Sequence, residues 1–219
     1  MARKSTFEWI IEKTENYDEI DSVDILDQNL LQISRDDGEV IIVTTISNKN
    51  ISLADIKSLI EKNDANFILH TKKDPFICGS VYVFLEGRSK IIGSFGDLFR
   101  VLKESDISNY LHPQTKFITR GLNQHDKVID ITRIDNKRYE IKRYNLPSVT
   151  IIALDDYDIG LESIRSAIEN YGEFDAVLKA NPNGKITESA YELAESKNFK
   201  ILKWGELMGK LNLKWNWKK

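Results

Sequence analysis

The sequence predicts an α/β protein of two tandem units, each a mixed central sheet flanked by helices, and three observations predict it. The first is an internal repeat. Sliding the chain by 109 positions (205 − 96) lays residues 65–102 on 174–211 without a gap, and nine of the 38 pairs are identical, among them Leu69/Leu178, Tyr82/Tyr191, Gly96/Gly205 and Leu102/Leu211. Chance would give about two or three, and the matches fall at strand and helix spacings. The second observation is that strand-like and helix-like periods alternate in the same order through both halves. The third is a pair of near-continuous apolar runs, VIIVTT at 40–45 and VTIIAL at 149–154. Such runs mark strands covered on both faces, so they are expected to be the central strands, with the more polar RYEIKRY of 138–144 nearer an edge.

Each element follows from local signals. Ser5-Thr6-Phe7-Glu8 has capping-box spacing, and Phe7, Ile10 and Ile11 make an apolar stripe, which predicts a helix from about Phe7 to Asn16. Strands follow at 22–26, 30–34 and 40–45, joined by turns at Asp27-Gln28-Asn29 and at the Asp37-Gly38 hairpin pair. Residues 52–63 form an amphipathic helix, 66–70 a strand, 79–87 a helix, 90–93 a strand and 97–103 a helix. In the second half, 127–134, 138–144 and 149–154 are the strands, with turns at Asp135-Asn136 and Asn145-Leu146-Pro147. Residues 161–170 are the helix, with Asp158 as its expected cap, and 174–211 close the unit. Residues 105–124, interrupted by His112-Pro113, read as a linker plus a shortened helix. Alternation of Leu213, Trp215 and Trp217 suggests an added edge strand.

Composition sets the bounds. At 219 residues and 41% hydrophobic content, two units of roughly 105 residues can each bury a core. The expected boundary divides 1–105 from 106–219, the latter carrying the short linker helix and a Trp/Lys tail. No apolar run reaches the ~18 residues of a membrane span and the amino terminus lacks a signal-peptide core, so a cytoplasmic protein with no membrane contact is expected. Cys78, the single cysteine, excludes an intrachain disulfide and is expected as a small core residue; His70, His112 and His125 are too scattered for a metal site. The net charge of −3 divides unevenly: residues 1–109 hold 13 Lys/Arg against 19 Asp/Glu, and residues 110–219 hold 18 against 15. The second half is therefore the half suited to phosphate, although the acidic pI of the whole argues against strong non-specific nucleic-acid binding.

Within KITESAYELAESKNFKILKWGEL, the residues Ile186-Thr187, Ala190, Ala194, Ile201-Leu202, Gly205 and Leu207 resemble the carboxy-terminal part of the restriction-endonuclease-like (PD-(D/E)xK) nucleases, especially the methyl-directed, Mrr-like enzymes. The Gly-to-Leu spacing is one residue shorter than in that pattern. The order helix, three strands, helix, strand, helix extends the resemblance to most of the chain. It implies two tandem restriction-endonuclease-like units forming an internal pseudo-dimer, the acidic first packed on the second, with further homodimerisation open to it. It also implies catalysis by an acidic residue on the second strand and a Glu/Gln-x-Lys on the third, since residues two apart on a strand share a face and can hold Mg²⁺ beside a lysine that serves the attacking water.

Two registers place those groups differently. In one, Glu140-Ile141-Lys142-Arg143-Tyr144 is similar to the family's Glu-x-Lys-Arg-Tyr, so that Asp130 and Glu140 would bind Mg²⁺ and Lys142 would serve the water. In the other, the strand at 149–154 is the third strand, and Ile152 and Leu154, with Thr44 and Ile46 in the first unit, occupy the Glu and Lys positions. None of those four can bind a metal, and both sites would then be degenerate. The repeat favours this second register, in which Glu140 and Lys142 are solvated hairpin residues. Asp155, Asp156 and Asp158 follow a buried strand, where α/β sheets often place ligands, but helix capping explains them more simply.

For nucleic acid, the stretch 113–145 carries eight Lys/Arg against four acids. Lys116, Arg120, Lys137, Arg138 and Arg143, with Lys214, Trp215 and Trp217 of the tail, are the candidate contacts, the cations for phosphate and the aromatics for bases. The expected function is nucleic-acid binding, DNA first, on a duplicated and catalytically degenerate nuclease fold. The alternatives are a Mg²⁺-dependent DNA endonuclease of restriction or defence type at Asp130, Glu140 and Lys142, and a non-enzymatic scaffold whose acidic first unit engages a protein partner.

Overall fold

A computed structural model describes residues 5–15, 17–104 and 107–217. The chain divides into two compact units, Met1–His112 and Pro113–Lys219. The boundary lies seven residues (112 − 105) beyond the expected one, whose residues 105 and 106 lie outside the described part.

The first unit opens with α1 (Thr6–Thr14), where Ser5 Oγ accepts from the Glu8 backbone at 3.1 Å and Glu8 Oε2 accepts from the Ser5 backbone at 2.6 Å, the reciprocal cap expected from the sequence. Its expected end at Asn16 lies outside the described residues. There follow β1 (Ile20–Asp27), β2 (Leu30–Arg35), β3 (Val40–Ile46), β4 (Asn50–Ile51), α2 (Leu53–Ile60), β5 (Phe67–His70), β6 (Phe76–Ile77), α3 (Gly79–Glu86), β7 (Ile91–Gly93) and α4 (Phe95–Val101). The main sheet runs β1-β2-β3-β5-β7, antiparallel across the first three strands and parallel across the last three. On one face α1 and α4 set Phe7, Ile10, Leu98 and Val101 against Leu31, Ile33, Val43, Phe67 and Leu69. On the other, Ile56 of α2 and Val81 and Leu85 of α3 cover Ile46, Ile68 and Ile92. Cys78 departs from expectation: it is half-buried and precedes α3 as its N-cap.

The second unit consists of α5 (Pro113–Asn123), β8 (Val128–Arg133), β9 (Arg138–Arg143), β10 (Leu146–Leu154), α6 (Leu161–Tyr171), β11 (Ala176–Lys179), α7 (Glu188–Ser196), β12 (Lys200–Leu202) and α8 (Trp204–Leu211). Its sheet order, β8-β9-β10-β11-β12, and strand directions match those of the first unit. The correspondence extends to side chains. Phe7, Ile10 and Thr14 are the buried residues of α1, and 108 positions later Thr115, Ile118 and Leu122 are those of α5. The β4–β6 pair Ile51↔Ile77 reappears as the isolated parallel bridge Ile159↔Ile186.

β3 and β10, the apolar runs, are the third strands of their sheets, with a neighbour on either side. β9 lies one strand in from the edge strand β8. Four local expectations are corrected. α5 is not a shortened helix; it spans 11 residues against nine for α1, because Pro113 occupies the first helical position, where its missing N–H costs nothing. The β9–β10 turn is Tyr144-Asn145, not Asn145-Leu146-Pro147, with Asn145 at φ 57° and Leu146 already paired with Arg143. The N-cap of α6 is Gly160; Asp158 instead accepts the Lys185 backbone N–H at 2.7 Å and joins two loops. Residues 213–217 form no strand, because Trp215 turns into the core.

Candidate functional site

The first candidate lies on the β8–β9 hairpin. β9 alternates strictly: Tyr139, Ile141 and Arg143 are buried, so Arg138, Glu140 and Lys142 point from the opposite face of the strand. Asp130 is the direct cross-strand partner of Lys142, Oδ2 to Nζ 3.0 Å, with both side chains about half exposed. The hydrogen bond and charge of Lys142 hold the Asp130 carboxyl below its usual range, and Asp130 holds the ammonium above its own. Glu140 faces Thr132 and Thr150 and so stands diagonally from Asp130, a relation that separates Cβ atoms by about 7 Å. Asp130 and Glu140 thus stand on one face of neighbouring strands, with the carboxylate of Asp130 engaged by Lys142. No group of three or more metal-binding side chains gathers elsewhere among the described residues. A lysine beside a solvated carboxylate is stabilised in its protonated form.

The third-strand positions are inert. Thr44 and Ile46 on β3, and Ile152 and Leu154 on β10, are buried. The acidic position shared by the two units is structural: Asp27 Oδ1 accepts the Asn29 backbone N–H at 2.5 Å, and 108 residues on Asp135 Oδ1 accepts those of Lys137 and Arg138 at 2.9 and 2.7 Å. Arg138 Nε closes on Asp135 Oδ2 at 2.7 Å, so both oxygens of this fully buried carboxylate are used.

The expected nucleic-acid contacts separate into two groups. Arg143 is 4% exposed. Its guanidinium donates to the carbonyls of Pro147 (2.8 and 3.0 Å), Leu213 (2.8 Å) and Leu211 (3.3 Å), and its Cζ lies 5.2 Å from the Trp215 ring centroid. Trp215 is buried, donates Nε1–H to Lys210 O at 2.8 Å and stacks on Trp217, whose own Nε1–H reaches Asp175 O at 2.9 Å. Arg143 and Trp215 complete the core and are closed to phosphate and bases, while Trp217 is half-buried against them. Arg138 is engaged with Asp135 and Glu173 O, and the Lys137 ammonium lies over Tyr171. Lys116, Arg120 and Lys214 are exposed.

Lys116 and Arg120 belong to the most suggestive surface, the outward side of α5 where it packs on α8. Phe117 lies between them in sequence, 56% exposed, with its ring 4.8 Å from that of Trp204 at an interplanar angle of 50°. Gly121 makes this approach possible, since a Cβ there would stand 2.3 Å from Trp204 Cζ2. His125 Nε2 bonds Met208 O at 2.9 Å, pinning the end of α5 to α8. The pairing of Phe117 with Trp204 depends on helix packing, and no signal in the sequence marks it.

Lys179 was missed as well. Buried at the end of β11, it donates to the carbonyls of Asp156, Tyr157 and Asn183 at 3.3, 2.8 and 2.6 Å, binding together the loops that follow β10 and β11. Asp155, Asp156 and Asp158 are exposed around this knot. No helix among the described residues is long and apolar enough to cross a membrane. No protein-family model matches the chain, and no curated protein or solved structure does.

Proposed function

We propose that the chain is a nucleic-acid-binding protein, built from a duplicated restriction-endonuclease-like unit whose cutting chemistry has been lost. The observation that carries the binding is α5, which exposes Lys116 and Arg120 and has no acidic residue among its 11. A cationic ridge of this kind supplies sequence-independent affinity for phosphates. The loss of cutting is supported by the apolar and hydroxyl residues at the third-strand positions and by the closed Asp130–Lys142 pair.

The test is a gel shift of DNA and RNA in EDTA at rising salt, with a parallel incubation in Mg²⁺ or Mn²⁺ using the native chain and a Glu140→Ala/Lys142→Ala variant. Binding that weakens with salt, with no cleavage, is the expected result. Cleavage lost in the variant would restore Asp130, Glu140 and Lys142 as an endonuclease site. Neither binding nor cleavage would refute the proposal and turn the search to a protein partner.

A further inference from the structure

Resting on that reading, we infer that the nucleic acid is single-stranded and that Phe117 is the platform on which one of its bases stacks. In a duplex the base faces are covered by their neighbours and only edges and phosphates are presented, so an exposed aromatic ring has nothing to stack on. A single strand offers faces. Phe117 has the required form: its ring is more than half exposed, yet it leans on Trp204. Trp204 in turn is seated in the gap left by Gly121. The platform is therefore held before any ligand arrives, which reduces the ordering cost of binding. The cations stand where the strand's backbone would run. Lys116 precedes the ring by one residue, and Arg120 lies one helical turn from Lys116, a spacing of about 5–6 Å between Cβ atoms that suits successive phosphates on one strand. No carboxylate on α5 opposes them. The complementarity, negative backbone on cations and base on ring, selects a single strand over an apolar partner, which would leave both cations without counter-charge.

Fluorescence anisotropy with labelled 12-mers of dT, rU and a mixed-sequence DNA duplex tests this on the full chain. The single strands are expected to bind at least 10-fold more tightly than the duplex. Phe117→Ala and Phe117→Leu each weaken single-strand binding about 10-fold, while Phe117→Tyr, which keeps the ring, restores it. An oligonucleotide with abasic positions binds the native protein as weakly as dT binds Phe117→Ala. Lys116→Ala/Arg120→Ala lowers the slope of log K against log salt by about 1.4, two single-strand phosphates' worth. A duplex bound as tightly as the single strands, with no effect of Phe117→Ala, would overturn the inference and leave nucleic-acid binding standing. No binding to any of the three, or concentration-dependent self-association abolished by Phe117→Ala, would overturn both.

Discussion

Replacing Arg143 with methionine separates two roles for the same side chain. A phosphate contact, as the sequence suggests, would lose affinity at unchanged stability. The structure requires the opposite. Methionine keeps a long apolar stem beside Trp215 but removes every donor, leaving the carbonyls of Pro147, Leu211 and Leu213 without this partner. Hydrogen bonds from a charged donor contribute about 1.5–3 kcal/mol each. The 3.3 Å contact to Leu211 is weak, and the desolvation of a guanidinium is recovered, so the net loss is about 3–4 kcal/mol. That is a large part of the roughly 5–15 kcal/mol that holds a domain together. For a unit of this size it lowers the melting temperature by roughly 13–18 °C. Arg143→Lys, with one ammonium that cannot span three carbonyls, falls between. Calorimetry, with tryptophan fluorescence reporting the Trp215–Trp217 pair, measures the shift. A melting temperature within 2 °C of the native value, together with a shallower salt dependence of nucleic-acid binding, would refute the buried clasp and restore Arg143 to the surface.

Other outcomes follow from close approaches and buried charge. Gly121→Ala drives a methyl into Trp204 and costs about 1–3 kcal/mol by urea denaturation, whereas Gly209→Ala on α8, where an added Cβ meets nothing within 4 Å, stabilises by about 0.5–1 kcal/mol. Gly184→Ala, at φ +74° with Tyr157 O only 1.9 Å from the added carbon, costs at least about 2 kcal/mol by the same assay. Tyr110→Phe removes a 2.6 Å hydrogen bond to the buried Asp97 and lowers stability by about 1–2 kcal/mol. Burial pushes the Asp97 carboxyl up, but hydrogen bonds from Ser94 and Tyr110 outweigh it and leave the pKa below the ordinary value. A depressed carboxyl contributes stability that is present above its unfolded pKa and lost as pH falls through the folded one, so the urea midpoint should drop below about pH 4, and Asp97→Asn should flatten that limb.

Much of the fold was legible because its signals are local. The runs at 40–45 and 149–154 could only be central strands, and Asp27 and Asp135, 108 apart, both fall in turns held by their own carboxylates. The functional surface was less so. Arg143 read as a basic residue in a basic stretch, although period-two alternation with Tyr139 and Ile141 would have put it on the core face. Trp215 and Trp217 alternate like a strand, but their indole N–H groups find carbonyls of residues 210 and 175, a choice that only the packed chain determines. The Phe117–Trp204 contact joins residues 87 positions apart (204 − 117), and no local pattern announces it.

The clasp has a counterpart in the first unit. Arg35, 108 positions before Arg143, is also buried at the end of a second strand and donates to the carbonyl of Glu104, just beyond α4. Each unit thus stays open until the segment after its final helix has been laid across the guanidinium. Fraying of that segment would strand a buried guanidinium, so in each unit the residues just beyond the final helix and the end of the second strand should open together, as one step of hydrogen exchange.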